Sequence, residues 1–374
     1  MDTLEKVRIL GEAGKWDTCA SSASPRKVTT SDRIGDASSC GICHSFTEDG
    51  RCVSLFKTLL TNDCSYDCKY CQNSVHCSKN KVSYEPDELA RVFMHLYLGN
   101  YVEGLFLSSG ISGDPDVTME RMLDTVRLIR GEYMFQGYVH FKILPGCSRE
   151  MIRQAGEMAD RLSINIEVPS KSRMAEISDV KDYRIDILRR QKWVSRENTP
   201  SGQTTQMVVG GCGETDREIL GMAGWEYDKM RLRRVYYSAF TPIELTPFEY
   251  KSKTPLEREH RLYQVDFMMR KYGIGLREFR EVFEDGNLPR GDPKVHLARI
   301  TLDGHVDVNE ASYNELVRVP GIGPKSAVRI LQLRKNNRGI TSRRQLDSIG
   351  VVLKRAEPFL KVGGHVQARM SEYA

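Results

Sequence analysis

The sequence predicts an α/β protein: a partial barrel of six strand–helix units, followed by a small all-α module at the C-terminus. Three observations predict it. From residue 53 onward, short apolar runs alternate with amphipathic stretches, the pattern of a parallel sheet whose crossovers are helices. Six such units are too few for the eight of a closed barrel. After residue 290 the alternation gives way to short helical patterns around glycine hairpins, and the charge changes with it. Residues 291–374 carry 14 Lys and Arg against 8 Asp and Glu, a net of +6, whereas the whole chain of 374 residues stands at +5. Residues 1–290 therefore come to −1. The last quarter holds the positive charge, as a module that meets phosphates would.

Hydrophobic residues make up 40% of the chain, enough for a large core, which excludes a disordered or fibrous protein. No apolar run is long enough to span a bilayer, and the opening Met1-Asp2-Thr3-Leu4-Glu5-Lys6 lacks an apolar signal region. We therefore expect a soluble, cytoplasmic protein with no membrane partner. Ten cysteines, clustered rather than spread, suit metal binding in a reducing compartment better than a disulfide framework.

Residues 1–45 are polar and turn-rich and read as a leader in which only 4–16 can form a short helix. It is either loose or folded over a site, because Cys40 and Cys43 lie just ahead of the main cysteine cluster. Strand candidates follow at 53–61, 104–108, 138–144, 161–168, 205–209 and 235–240. Between them lie helical patterns at 86–98, 118–130, 148–159 and 216–229, a less regular helical stretch at 171–190, and a further helix at 255–272. Together they make a TIM-like partial barrel over 46–285, where chemistry sits on the loops after the strand C-termini. The Gly- and Pro-bearing stretch 273–300 connects it to a C-terminal module at 290–374.

The first strand runs directly into Cys64-Ser65-Tyr66-Asp67-Cys68-Lys69-Tyr70-Cys71, three thiols spaced C-x3-C-x2-C on a loop. Thiolates packed so closely converge on one metal centre, and soft sulfur selects iron–sulfur or zinc. A cubane [4Fe–4S] cluster normally takes four thiolates, so three leave one iron open to a ligand. The spacing, with Tyr70 just before the last cysteine, resembles the signature of the radical S-adenosylmethionine (SAM) enzymes. That resemblance implies a cluster whose open iron binds the amino and carboxylate groups of SAM and reduces its sulfonium to release a 5′-deoxyadenosyl radical. It also implies an external reductant of the flavodoxin or ferredoxin type. A structural zinc knot would want a fourth ligand. Cys40, Cys43, Cys52 and Cys77, with His44, could bind a second metal, and Cys77 could close a four-thiolate structural cluster of the kind some DNA glycosylases carry.

A SAM pocket also needs polar acceptors and a flat apolar face. Strand two ends in Leu107-Ser108-Ser109-Gly110, where radical SAM enzymes carry a Gly-Gly-Glu-like segment. The departure leaves only backbone carbonyls and the hydroxyls of Ser108 and Ser109 for the amino group. Alternation puts Ser163, Asn165 and Glu167 on one face of strand four, and the resemblance makes Asn165 and Glu167 ribose or methionine contacts. Strand five ends in Val209-Gly210-Gly211-Cys212-Gly213, resembling the adenine-side element, with Gly210 and Gly211 as cofactor candidates alongside Tyr70 and Gly110. Cys147 and Cys212 fall on the same rim. Each is either a hydrogen donor to a radical or a small buried hydrophobe.

Near the end, 308–331 reads as helix, glycine hairpin, helix around Pro320-Gly321-Ile322-Gly323-Pro324-Lys325. Leu316 and Val319 supply apolar contacts to the first helix, and Pro324 suits the first turn of the second. Outward N–H groups at the hairpin suit an anion. The pattern matches the helix-hairpin-helix, which grips nucleic-acid phosphate without reading bases, so Gly321, Ile322, Gly323 and Lys325 are nucleic-acid candidates. Residues 345–356 look like a degenerate second copy. The two modules together, with Cys43 and Cys52 in Gly41-Ile42-Cys43-His44 to Arg51-Cys52, resemble the DNA modification/repair radical SAM proteins. This implies an enzyme acting on DNA, and a uracil-DNA-glycosylase-like protein as a partner to test. Two alternatives stand beside it: a DNA-binding or damage-sensing protein with a structural iron–sulfur cluster, and a radical SAM enzyme that modifies tRNA or other RNA.

Overall fold

The computed structural model describes residues 2–15, 42–46, 52–77, 80–336 and 339–366. They form two compact units: residues 1–214 with 225–255, and residues 215–224 with 256–374.

The first unit holds helix α1 (Thr3–Ala13) and strands β1 (Ile42–Phe46) and β2 (Cys52–Leu59), then α2 (Pro86–Leu98), β3 (Gly104–Ser108), α3 (Pro115–Gly131), β4 (Tyr138–Lys142), α4 (Arg149–Met158) and β5 (Arg161–Ser163). Next come α5 (Lys171–Ile177), a π-helical turn (Tyr183–Leu188) running into α6 (Arg189–Val194), β6 (Gln203–Val209), α7 (Asp216–Lys229), whose first turns belong to the second unit, and β7 (Arg234–Ala239). The strands form one sheet in the order β1 to β7. From β2 to β7 all neighbours are parallel, as a partial barrel of six units requires.

Local chemistry sets the helix starts. Asp114 caps α3 by accepting from the Asp116 and Val117 amides, Ser148 caps α4, and prolines occupy the first turns of α2 and α3. Phe56, Phe93, Phe106 and Phe141 are fully buried, each worth roughly 1.5–3 kcal/mol of apolar burial.

Three details differ from the sequence reading. The leader contributes an edge strand, β1, antiparallel to β2, and its first helix is not loose, with Leu10, Gly11 and Ala13 buried. Residues 16–41, including Cys40, lie outside the described residues. The fourth strand leaves the ladder after Ser163, where the Thr205 hydroxyl donates to the Ile164 carbonyl and accepts from the Ile166 amide, and it rejoins β6 through a bridge from Glu167 (φ 67°) to Met207. Finally, 171–190 breaks into two helices and a π-helical turn because Asp182 starts a new cap, accepting from the Arg184 and Ile185 amides.

The second unit contains α8 (Leu256–Phe267) with a π-helical extension (Met268–Tyr272), α9 (Pro293–Thr301), β8 (Val306–Asp307), α10 (Tyr313–Arg318), α11 (Pro324–Lys335), α12 (Arg343–Ser348), α13 (Leu353–Ala356), β9 (Leu360–Val362) and β10 (His365–Val366). The short strands form a small three-stranded sheet beside the helices. Leu316, Val319, Ile322, Ala327, Ile330 and Leu346 fill the core between the helices. No helix among the described residues is long and apolar enough to cross a membrane.

Candidate metal centre and cofactor cavity

A cavity of about 170 Å³ opens at the C-terminal ends of the barrel strands. Leu59 of β2, Ser108 of β3, Lys142 of β4, Val208 of β6 and Ala239 of β7 reach it from five strands. Cys64, Cys68 and Cys71 share one wall. The loop that carries them is pinned on four sides. Ser65 N–H donates to the Ile111 carbonyl at 2.7 Å, and Lys69 N–H to Ile177 at 2.9 Å. The Tyr66 hydroxyl reaches Pro145 O at 3.1 Å, and the Gln72 amide reaches the carbonyl of Ala13 at 3.3 Å. At Gly110 a Cβ would lie 2.6 Å from the Asp63 carbonyl oxygen, so only glycine lets the loop pass the end of β3.

Burial pushes the Cys68 thiol up to about 11 and Cys71 to about 12. A metal that takes these sulfurs as thiolates therefore displaces protons. Lys181 reaches back to Cys68, and its Nζ lies 3.4 Å from Glu167 Oε1. Burial works against its charge, but the Cys68 and Glu167 charges hold the ammonium above its ordinary range. The Tyr70 hydroxyl bonds to Glu167 and is likewise pushed up by burial.

Of the expected cofactor contacts, Tyr70, Ser108, Ser109, Gly110, Asn165 and Glu167 all line the cavity, whereas Gly210 and Gly211 do not. Instead the Gly210 and Cys212 amides donate to the buried Glu214 carboxylate, so that turn is closed on itself. Cys147 and Cys212, named as hydrogen donors, are buried off the cavity, and Cys212 donates to Glu214 Oε2 at 3.1 Å. Cys77 is buried and also absent from the cavity wall. Cys43 lies on β1 in a disulfide, and the side chain of Cys52 lies outside the described residues.

Sequence reasoning missed Lys142, Lys181 and Gln206, which also line the cavity. Lys142 and Gln206 sit on the lumen face of strands at alternate positions, a signal that was available. Lys181 had none, because it follows α5 in a turn without periodicity.

The donor chemistry of the cavity wall fits an iron–sulfur cluster. Among the described residues three thiols and no fourth line the cavity, and the Ser109 Oγ there is buried without a hydrogen-bond partner. Soft sulfur donors of this kind suit an iron–sulfur cluster, and three of them leave one of its irons for another ligand.

In the second unit, Ser312 and Glu315 form a capping box at the start of α10, and Pro324 opens α11. Gly321 (φ 86°) is a glycine for an internal reason. A Cβ there would lie 2.4 Å from the Val352 carbonyl oxygen of the second hairpin. Ile322 is buried in the core and its carbonyl accepts from Lys294 at 2.6 Å. Lys325 is exposed, beside Val328, Arg329 and Gln332 on the outer face of α11. Of the four expected nucleic-acid residues, Lys325 presents its side chain to solvent while Ile322 faces inward.

Residues 58–225 match the radical SAM superfamily, and residues 303–355 match the helix-hairpin-helix motif. Residues 58–225 thus carry a radical SAM domain, and a helix-hairpin-helix follows it in the chain. Solved structures similar to it include HydG, a maturase of the [FeFe]-hydrogenase (12% identity, TM-score 0.48, covering 57% of this chain and 48% of that one). Methylornithine synthase is similar at 14% identity and TM-score 0.47, over 58% of this chain and 63% of that one. A radical SAM methyltransferase from Sphaerobacter thermophilus is similar at 14% identity and TM-score 0.45, over 59% and 68%. The chain spans about half the length of the first of these. No curated protein matches the chain in sequence. The radical SAM match alone places the three-cysteine loop in its family context, because that loop falls inside it.

Proposed function

We propose that Cys64, Cys68 and Cys71 hold a [4Fe–4S] cluster and that the enzyme uses it to cleave SAM reductively, acting on nucleic acid, and on DNA in particular. The observation that carries this reading is the wall of three thiols facing the same cavity as Ser109, Asn165 and Tyr70. When bound, the cluster supplies an open iron for the amino and carboxylate groups of SAM and the electron that breaks its sulfonium bond. Ser108 and Ser109 offer hydroxyls to the amino group, and Asn165 offers an amide to the ribose. Val208 and Phe240 present apolar surface for the adenine. Electrons come from a reductant of the flavodoxin or ferredoxin type.

The helix-hairpin-helix holds phosphate through the hairpin amides and the exposed Lys325, without reading sequence. A base in duplex would be flipped out to meet the cavity. The alternative of a structural four-thiolate cluster loses support because Cys77 is absent from the wall.

Reconstituted protein with SAM and reductant should yield 5′-deoxyadenosine. If it makes none, and Cys64→Ala leaves the iron content unchanged, the reading fails. Competition between DNA and RNA of equal length, at stated salt, separates a DNA enzyme from an RNA one. A pull-down tests the uracil-DNA-glycosylase-like partner.

A further inference from the structure

We propose that Lys181 is a positioning residue for the metal centre: its ammonium, held by Glu167, anchors the Cys68 sulfur and biases the cluster toward its reduced state. The inference rests on the cluster reading above and goes beyond it by assigning a role to a residue outside the cysteine loop.

The geometry is that of a closed circuit. Asp67, inside the cysteine loop, accepts from the Ser178 hydroxyl and from the Asp179 amide, the latter at 2.7 Å. Ser178 Oγ in turn accepts from the Lys181 amide at 3.1 Å. The turn so fixed returns the Lys181 side chain to Cys68, one residue beyond Asp67. The loop therefore places, through Asp67, the ammonium that binds its own cysteine. Burial opposes the charge on Asp67, but the Ser178 hydroxyl and the Asp179 and Val180 amides outweigh it and hold the carboxyl below its usual range.

Charge decides the consequence. The side chains of Lys181 and Glu167 are 6% and 9% exposed, so water screens them little. Glu167 is itself fixed in a left-handed backbone (φ 67°), its amide donating to the Gln206 carbonyl at 3.0 Å and its carbonyl accepting from the Val208 amide at 2.7 Å. Such strain persists where the surroundings enforce it. Adding an electron to a cluster adds negative charge beside Cys68, and a fixed ammonium on that sulfur stabilises the added charge. Glu167 acts with the opposite sign on the same equilibrium. It also holds Lys181 in place, with the Tyr70 hydroxyl as its second partner.

The test is a redox titration of reconstituted full-length protein, followed by electron paramagnetic resonance without SAM, beside a chemical assay of iron. Lys181→Met keeps the length of the side chain and removes the charge. It should retain iron and shift the reduction equilibrium at least tenfold toward the oxidised state, about 59 mV lower for one electron. Lys181→Arg should restore most of the shift, and Glu167→Gln should move the potential the other way. Opposite signs at the two positions are what a merely structural pair would not produce. A Lys181→Met protein with wild-type iron and wild-type potential overturns the inference and leaves the cluster reading standing. If Lys181→Met holds no iron, Lys181→Arg decides. Retained iron in Lys181→Arg, with Glu167→Gln higher in potential than wild type, supports the inference, and lost iron in Lys181→Arg or an unmoved Glu167→Gln potential overturns the tuning role. A wild-type protein that takes up no iron ends both readings together.

Discussion

The cavity wall and the packed interior of the first unit use the same side chains to different ends. Six cysteines are free among the described residues, and they divide evenly between the two regions. Cys64, Cys68 and Cys71 face the cavity. Cys77, Cys147 and Cys212 are 1%, 0% and 3% exposed, with neighbours already in contact. Burial does not separate the groups, since Cys68 is itself only 6% exposed. The difference is whether surrounding protein completes the sulfur's environment. The two acids divide the same way. Glu167 lines the cavity and is paired with Lys181, whereas Glu226 is fully buried with the Gln191 side chain beside it.

The largest effect that could break this comparison is on metal content. Reconstituted wild-type protein should carry about four irons, and Cys68→Ala should carry almost none and yield no 5′-deoxyadenosine. Cys147→Ala should keep both. Iron loss in Cys147→Ala equal to that in Cys68→Ala would erase the distinction between the two regions.

A packed-interior role predicts steric rather than chemical sensitivity, and Gly321 tests it in the second unit. Alanine there would meet the Val352 carbonyl oxygen at 2.4 Å in a left-handed backbone. The cost should be about 3 kcal/mol, seen as a lower unfolding midpoint in urea. Stability equal to wild type would instead make the glycine a phosphate-facing residue, as the sequence alone suggested.

Much of the fold was legible, and the reason is periodicity. Continuous apolar runs at 104–108 and 235–240 are buried on both faces, and the strands formed there. The three-cysteine loop was legible because its ligands are close in sequence. Cys77 and Gly210 misled for the same reason, since nearness in sequence says nothing of which way a loop turns. Lys142 at the end of β4 and Lys181 in the turn after α5 converge on the site from separate stretches of the chain. Only the closing of the sheet brings them there, so no local pattern announces the set.

Glu226 gives the next smaller effect, through pH. Burial raises its carboxyl to about 8, with Gln191 beside it working weakly the other way. The folded state thus holds a proton that the unfolded state gives up near 4.5. Its stabilising contribution is complete below pH 4.5 and is lost as pH rises through about 8. Urea midpoints should fall across that window, and Glu226→Gln, which keeps a neutral group, should flatten the fall. An unchanged slope in the variant would place the titration elsewhere.

Cys77 carries the smallest expected effect and the sharpest meaning. It lies six positions past Cys71, close enough in sequence to be a fourth ligand, yet it is buried 1% exposed and off the cavity wall. Its amide donates to Ser74 O at 3.0 Å, which turns the chain back on itself just after the loop. As a small buried hydrophobe it should cost about 1 kcal/mol when replaced by alanine. Iron content, and the spectral change on adding SAM, should stay as in wild type. A fourth thiolate would behave otherwise, because its removal opens an iron that the protein had closed. SAM would then perturb the spectrum of Cys77→Ala and leave that of the wild type unmoved, and the cluster would be structural.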